Sequence, residues 1–128
     1  MTIEKEKTSY QTLDVAYPAG SAKGKYADSV ELDSHYDECD GVQIFVLSDG
    51  GQPNFQVGID DRNTFYNTLV HKDDYVSGNG VAPNARYKEI TIPVVNGNKL
   101  SVNTYIPAAL ATDMFYQVVF RLRKRPKK

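Results

Sequence analysis

A chain of 128 residues falls in the size range of one domain, and with 41% apolar and 24% charged side chains it is not wholesale disordered. Its single cysteine, Cys39, excludes an internal disulfide, and a disulfide-stapled secreted scaffold with it. Fifteen basic against sixteen acidic residues give a net charge of −1, yet six of the bases crowd into the last eight positions, leaving an acidic body with a cationic end.

Nine tyrosines and five phenylalanines without a tryptophan favour strands. The opening residues Met1 to Lys7 have no apolar stretch of the kind a secretory signal needs. Residues 1–8, and the glycine-bearing 18–25, are expected to be mobile or ordered against a partner, so residues 1–25 read as an N-terminal arm. A strand near residues 12–17 would be closed by Pro18. Residues 29–36 form a further candidate strand with Val30 and Leu32 inward. Residues 42–48 and 55–60 flank Asp49-Gly50-Gly51-Gln52-Pro53-Asn54 and read as a hairpin, with Phe55, Val57 and Ile59 on one face. The aliphatic and aromatic run Ile44-Phe45-Val46-Leu47 is far too short to span a bilayer, so no transmembrane segment is expected and the chain should be soluble.

Residues 64–70 are another candidate strand, and residues 77–84, with Gly78, Gly80 and Pro83, a crossover loop. Asn96-Gly97-Asn98 supplies the positive φ values of a tight turn and predicts that residues 87–95 pair with 99–106. Residues 107–112 would form one helical turn. The last strand has the clearest pattern: Met114, Tyr116, Val118, Phe120 and Leu122 on a core face, Phe115, Gln117, Val119, Arg121 and Arg123 on the other. Period-two alternation without any 3.6-residue stripe gives an all-β chain. About eight strands make a single antiparallel β-sandwich of jelly-roll type spanning residues 26–123, followed by a basic extension at 124–128.

Candidate chemistry is thin. On an extended strand Asp33, His35 and Asp37 would share a face and could grip a divalent cation, but a solvated face explains them as well. Residues 37–41 lack the ligand alternation of a calcium loop. His71 with one of Asp60, Asp61, Asp73 or Asp74 could assemble an acid–base pair, yet no nucleophile or metal-protease motif accompanies them. The glycines at 50, 51, 78 and 80 do not match a phosphate cradle. No enzyme activity, cofactor or metal is expected, and Cys39 reads as a buried structural thiol. Phe65, Tyr66 and Tyr75, joined by Tyr87 and Tyr105, form an alternative aromatic platform for a sugar, against cross-strand packing of the same rings. Arg121, Arg123, Lys124, Arg125, Lys127 and Lys128 are the candidate contact with a polyanion or another subunit (nucleic acid, an anionic membrane surface, or an acidic protein face), although a solvated end that serves solubility explains them equally well.

From Val42 to Arg123 the order of elements, two hairpins separated by a long crossover and followed by a final long strand, resembles the single jelly roll of small viral capsid and minor capsid proteins. In that family mobile termini tie subunits together and a basic terminus faces the packaged genome or an internal membrane. The resemblance implies a non-enzymatic structural protein, a virus or phage capsid or vertex component forming a symmetric homo-oligomer. Its partners would be copies of itself and other structural subunits, and its location the virion. The alternative is a carbohydrate- or protein-binding β-sandwich module, cytoplasmic if the capsid reading fails. A cupin-type enzyme stands third, since only His35 and His71 are available as imidazole ligands.

Overall fold

The computed structural model describes residues 7–61, 65–75, 88–94 and 99–124. Eight strands make up the described fold: β1 (Lys7–Tyr17), β2 (Gly24–Glu31), β3 (Glu38–Asp49), β4 (Gln56–Asp60), β5 (Phe65–His71), β6 (Ile92–Pro93), β7 (Lys99–Ile106) and β8 (Met114–Lys124). One 3₁₀ turn, Lys72–Tyr75, follows β5, and there is no α-helix among the described residues. Hence no helix there is long and apolar enough to cross a membrane.

The strands form two four-stranded sheets, ordered β1-β8-β3-β6 and β2-β7-β4-β5, and every pairing is antiparallel. Successive strands lie in opposite sheets at every step except β4 to β5, which is the wrapping of a jelly roll. Alternation along each strand supplies the core. The inward set Met114, Tyr116, Val118, Phe120 and Leu122 of β8 is buried, as are Val57 and Ile59 of β4 and Leu100, Val102 and Ile106 of β7. Phe55 stacks on Tyr116 with ring centroids 5.2 Å apart, joining the two sheets through an aromatic pair.

The expected all-β jelly-roll sandwich is therefore the observed fold, but both expected hairpins are not. Residues 42–48 lie in β3 of the first sheet, whereas residues 56–60 form β4 of the second. Likewise β6 pairs with β3, and β7 lies between β2 and β4. Alternation marks which face of a strand is apolar, and crossing to the opposite sheet buries that face against another apolar face, which simple hairpin pairing would not. The hairpin that does form joins β4 and β5. The Asn-Gly turn and the 77–84 crossover lie outside the described residues.

The N-terminal boundary also moves. β1 begins at Lys7 and pairs with β8 over eleven successive positions, so residues 7–25, expected in a partly mobile arm, contribute β1 and the first two residues of β2 to the sandwich. Gln11 secures this edge: its Nε2 donates to Glu31 O (2.7 Å) and its Oε1 accepts from Asp33 N (2.9 Å), tying β1 to the chain leaving β2. The strand expected over 29–36 ends at Glu31, and the chain turns at 33–36, where Tyr36 N donates to Asp33 O at 3.2 Å.

One end of the sandwich is closed by three interlocked loops. Ala111 N and Thr112 N donate to Gly50 O (2.9 and 3.3 Å), Gly20 N donates to Leu110 O (2.9 Å), and Leu110 N donates to Ser21 O (3.0 Å). Ser48 Oγ and Ala19 N add bonds to Asp113 O and Oδ1 at 2.6 and 2.7 Å. The helical turn expected at 107–112 does not form, because its amides serve the neighbouring loops instead. Gly50 has φ +66° and a Cβ there would stand 2.9 Å from the Leu110 side chain, so glycine is required on both counts.

Candidate contact surface

The outward face of the first sheet carries the features that a core does not need. Along β8 its residues are Phe115, Gln117, Val119, Arg121 and Arg123, of which Val119 is buried, as is Gln43 beside it on β3; their register partners on β1 are Ala16, Asp14, Thr12, Tyr10 and Thr8. On β3 the partners are Ser48, Phe45, Gln43, Gly41 and Glu38. The face is graded. Leu47, Phe45 and Phe115 lie toward the interlocked loops, while the charged groups gather at the other end.

Three large apolar side chains are exposed among the described residues, and all belong to this sheet: Tyr10 (53%), Phe45 (42%) and Leu47 (72%). Phe45 and Leu47 follow from the run Ile44-Phe45-Val46-Leu47, which is apolar on both faces although β3 has a core on one. That doubled run is the signal in the sequence for an exposed apolar surface, since a strand with one core face needs only alternate apolar residues.

At the charged end a β-bulge does the positioning. The register of β3 against β8 shifts between Cys39 and Gly41, so Asp40 is the extra residue. Its carboxylate lies between two guanidinium groups: Arg121 Nε is 2.7 Å from Asp40 Oδ1, and Arg123 Nε forms an ion pair with Asp40 Oδ2. Arg121 and Arg123 thus stand on the outer face as their alternation predicts, but share one acid. Lys124 ends β8 opposite Lys7, and Arg125, Lys127 and Lys128 lie outside the described residues. Beside the bulge Cys39 is fully buried, its S–H donates to Gly41 O (3.3 Å), and burial pushes its pKa up to about 11.

The other sequence candidates separate. Tyr75 is 1% exposed and donates its hydroxyl to Val57 O at 3.1 Å, so it is a core residue and no part of an aromatic platform. Phe65 and Tyr66 lie in β5, with side chains outside the described set. Asp33, His35 and Asp37 do not share a strand face because they occupy the turn after β2. Asp33 Oδ1 instead caps the turn, accepting from His35 N (3.0 Å) and lying 2.7 Å from His35 Nδ1, and these two bonds lower the Asp33 pKa. Among the described residues no group of three or more His, Cys, Asp or Glu is placed to hold a metal ion. His71 Nε2 lies 3.0 Å from Asn54 Oδ1.

A polar cluster between the sheets was not anticipated. Tyr17 of β1 donates its hydroxyl to Asp28 of β2, and the hydroxyls of Thr104 and Tyr116 lie 2.5 Å apart. Burial raises the pKa of both tyrosines, and the bond to Asp28 adds to the shift at Tyr17. Each pair crosses from one sheet to the other, so the cluster fixes how the sheets sit on one another.

No protein-family profile matches the chain, and no curated protein does. Among solved structures, a chain from the structure of the infectious bursal disease virus Gx strain is similar to it with a TM-score of 0.34 and 10% identity, over 98% of this chain and 42% of that one. The protein thus spans less than half the length of that viral chain. A similarity of this size identifies neither a family nor an activity.

Proposed function

We propose that the chain is a non-enzymatic structural protein, a single jelly-roll unit that assembles with copies of itself into a symmetric oligomer and serves as a capsid or vertex component of a virus or phage. The observation that carries the reading is the outer face of the first sheet, where Tyr10, Phe45 and Leu47 are exposed on strands whose opposite face already has a core. Exposed apolar side chains scattered singly are ordinary, but Phe45 and Leu47 lie together at the loop end of this face, with Tyr10 on its charged end, and a partner subunit would cover them. The basic end of β8 with residues 124–128 then meets an anionic interior or an acidic neighbouring subunit.

Light scattering on the purified protein at low and high salt tests this. An oligomer is expected, and Phe45→Ser/Leu47→Ser should lower the assembled mass while leaving stability within about 1 kcal/mol, since neither side chain belongs to the core. A strict monomer at both salt concentrations overturns the reading. Removal of residues 124–128 should leave folding intact and weaken binding to a polyanion such as heparin.

A further inference from the structure

Among the described residues two sheets of four strands leave four edges, and the chain treats them unequally. β6 is two residues long and ends in Pro93, which has no N–H to offer. β2 carries an inward-directed carboxylate, Asp28. The pairing of β5 with β4 is broken by two register shifts. Short strands, prolines, inward charges and irregular ladders are the devices that stop an edge from recruiting another strand. β1 has none of them: its eleven residues run in unbroken register with β8, contain no proline or glycine, and place their one lysine at the first position.

We propose that β1 is the seam of a homodimer, pairing antiparallel with β1 of a second copy about a twofold axis at Thr12, so that the two first sheets join into one eight-stranded sheet. This rests on the assembly reading above and adds a second contact to it, along the β1 edge of the same sheet, separate from the exposed Phe45 and Leu47 on β3. The sequence of β1 suits its own reversal. With Thr12 on the axis facing its equivalent, Tyr10 faces Asp14, Thr8 faces Ala16, Gln11 faces Leu13, Ser9 faces Val15 and Lys7 faces Tyr17. No like charges meet, because the one acid falls opposite a phenol and the one base opposite another. Thr–Thr and Tyr–Asp pairs are both able to hydrogen-bond across strands, and Asp14, whose Oδ1 accepts from Gln117 at 3.0 Å, retains acceptor capacity in its second oxygen. Eleven paired positions would add about ten backbone hydrogen bonds, the number carried by a typical specific interface. The Gln11 bonds to the chain after β2 hold the seam firm before a partner arrives.

Two variants on the axis test the seam, each compared with the wild-type mass. Thr12 is exposed, so Thr12→Lys should keep the fold by circular dichroism, yet it sets two ammonium groups against each other and should reduce the dimer to monomer. Thr12→Cys should give a disulfide-linked dimer under mild oxidation, seen on a non-reducing gel, while Ser29→Cys on the exposed face of β2 should not. Cys39 is fully buried and does not compete. If Thr12→Lys fails to fold, the cysteine pair decides alone. An oligomer that persists in Thr12→Lys and does not cross-link through Thr12→Cys overturns the seam and leaves the assembly reading standing; a wild-type monomer at every concentration overturns both.

Discussion

The two sheets of this sandwich are built to different standards. In the first, β1, β3 and β8 are eleven, twelve and eleven residues long beside a two-residue edge strand, β6, and β8 is paired along its length on both sides. In the second, the strands are five to eight residues long, and the β4–β5 ladder is irregular. Both contribute to one core, so the difference lies outside the core: among the described residues the exposed large apolar side chains and the Asp40 ion pairs belong to the first sheet.

The two sheets depend on one another most where they touch. Phe55→Ala removes a fully buried ring from its stack on Tyr116 and should destabilise the whole domain by about 3–5 kcal/mol in chemical denaturation. Because each sheet covers the other, the loss should appear as one transition; two separate transitions would show sheets that fold independently.

A smaller, local effect is expected at the bulge. Asp40→Asn leaves the Arg121 and Arg123 guanidiniums beside each other without their shared carboxylate, and should cost about 2 kcal/mol. Adding Arg123→Gln should recover part of that loss, since one of the two facing charges is then gone. A double variant no more stable than Asp40→Asn would mean that Asp40 acts through the bulge geometry alone, with no part played by charge.

The smallest effect concerns Cys39 and is confined to alkaline pH. Its thiol titrates at about 11 in the fold against an ordinary value of 9.0, so the unfolded chain releases the proton first. With fewer protons bound in the unfolded state, stability is fully present below pH 9 and falls as pH rises towards 11. In Cys39→Ser this alkaline slope should be shallower, with denaturation midpoints at several pH values as the measure. In the folded wild type, a thiol reagent at pH 8 should react only on unfolding.

What could be read from the sequence follows from what alternation encodes. Period two distinguishes the faces of a strand, so the core face of β8 and the outward placement of Arg121 and Arg123 were legible. It does not say which strand lies alongside, so two pairs of neighbouring segments read as hairpins although a jelly roll sends them to opposite sheets. β1 was traced only from residue 12 because Lys7 to Gln11 are largely polar, as suits an edge whose outer face is solvated. The partner of the two arginines was hidden for a local reason: the bulge moves Asp40 out of the alternation that would have located it. The Asp33–His35–Asp37 spacing misled because face-sharing holds on a strand and fails in a turn.

The interlocked loops around Gly50, Leu110 and Ser21 have a thermodynamic consequence for whatever approaches that end of the molecule. Their amides and carbonyls are bonded to one another before any encounter, so the conformational entropy of ordering them is lost during folding. A contact made there needs little further immobilisation of backbone, and more of its interaction free energy is expressed as affinity. Replacing Gly50 would move that cost from the folding step to the binding step.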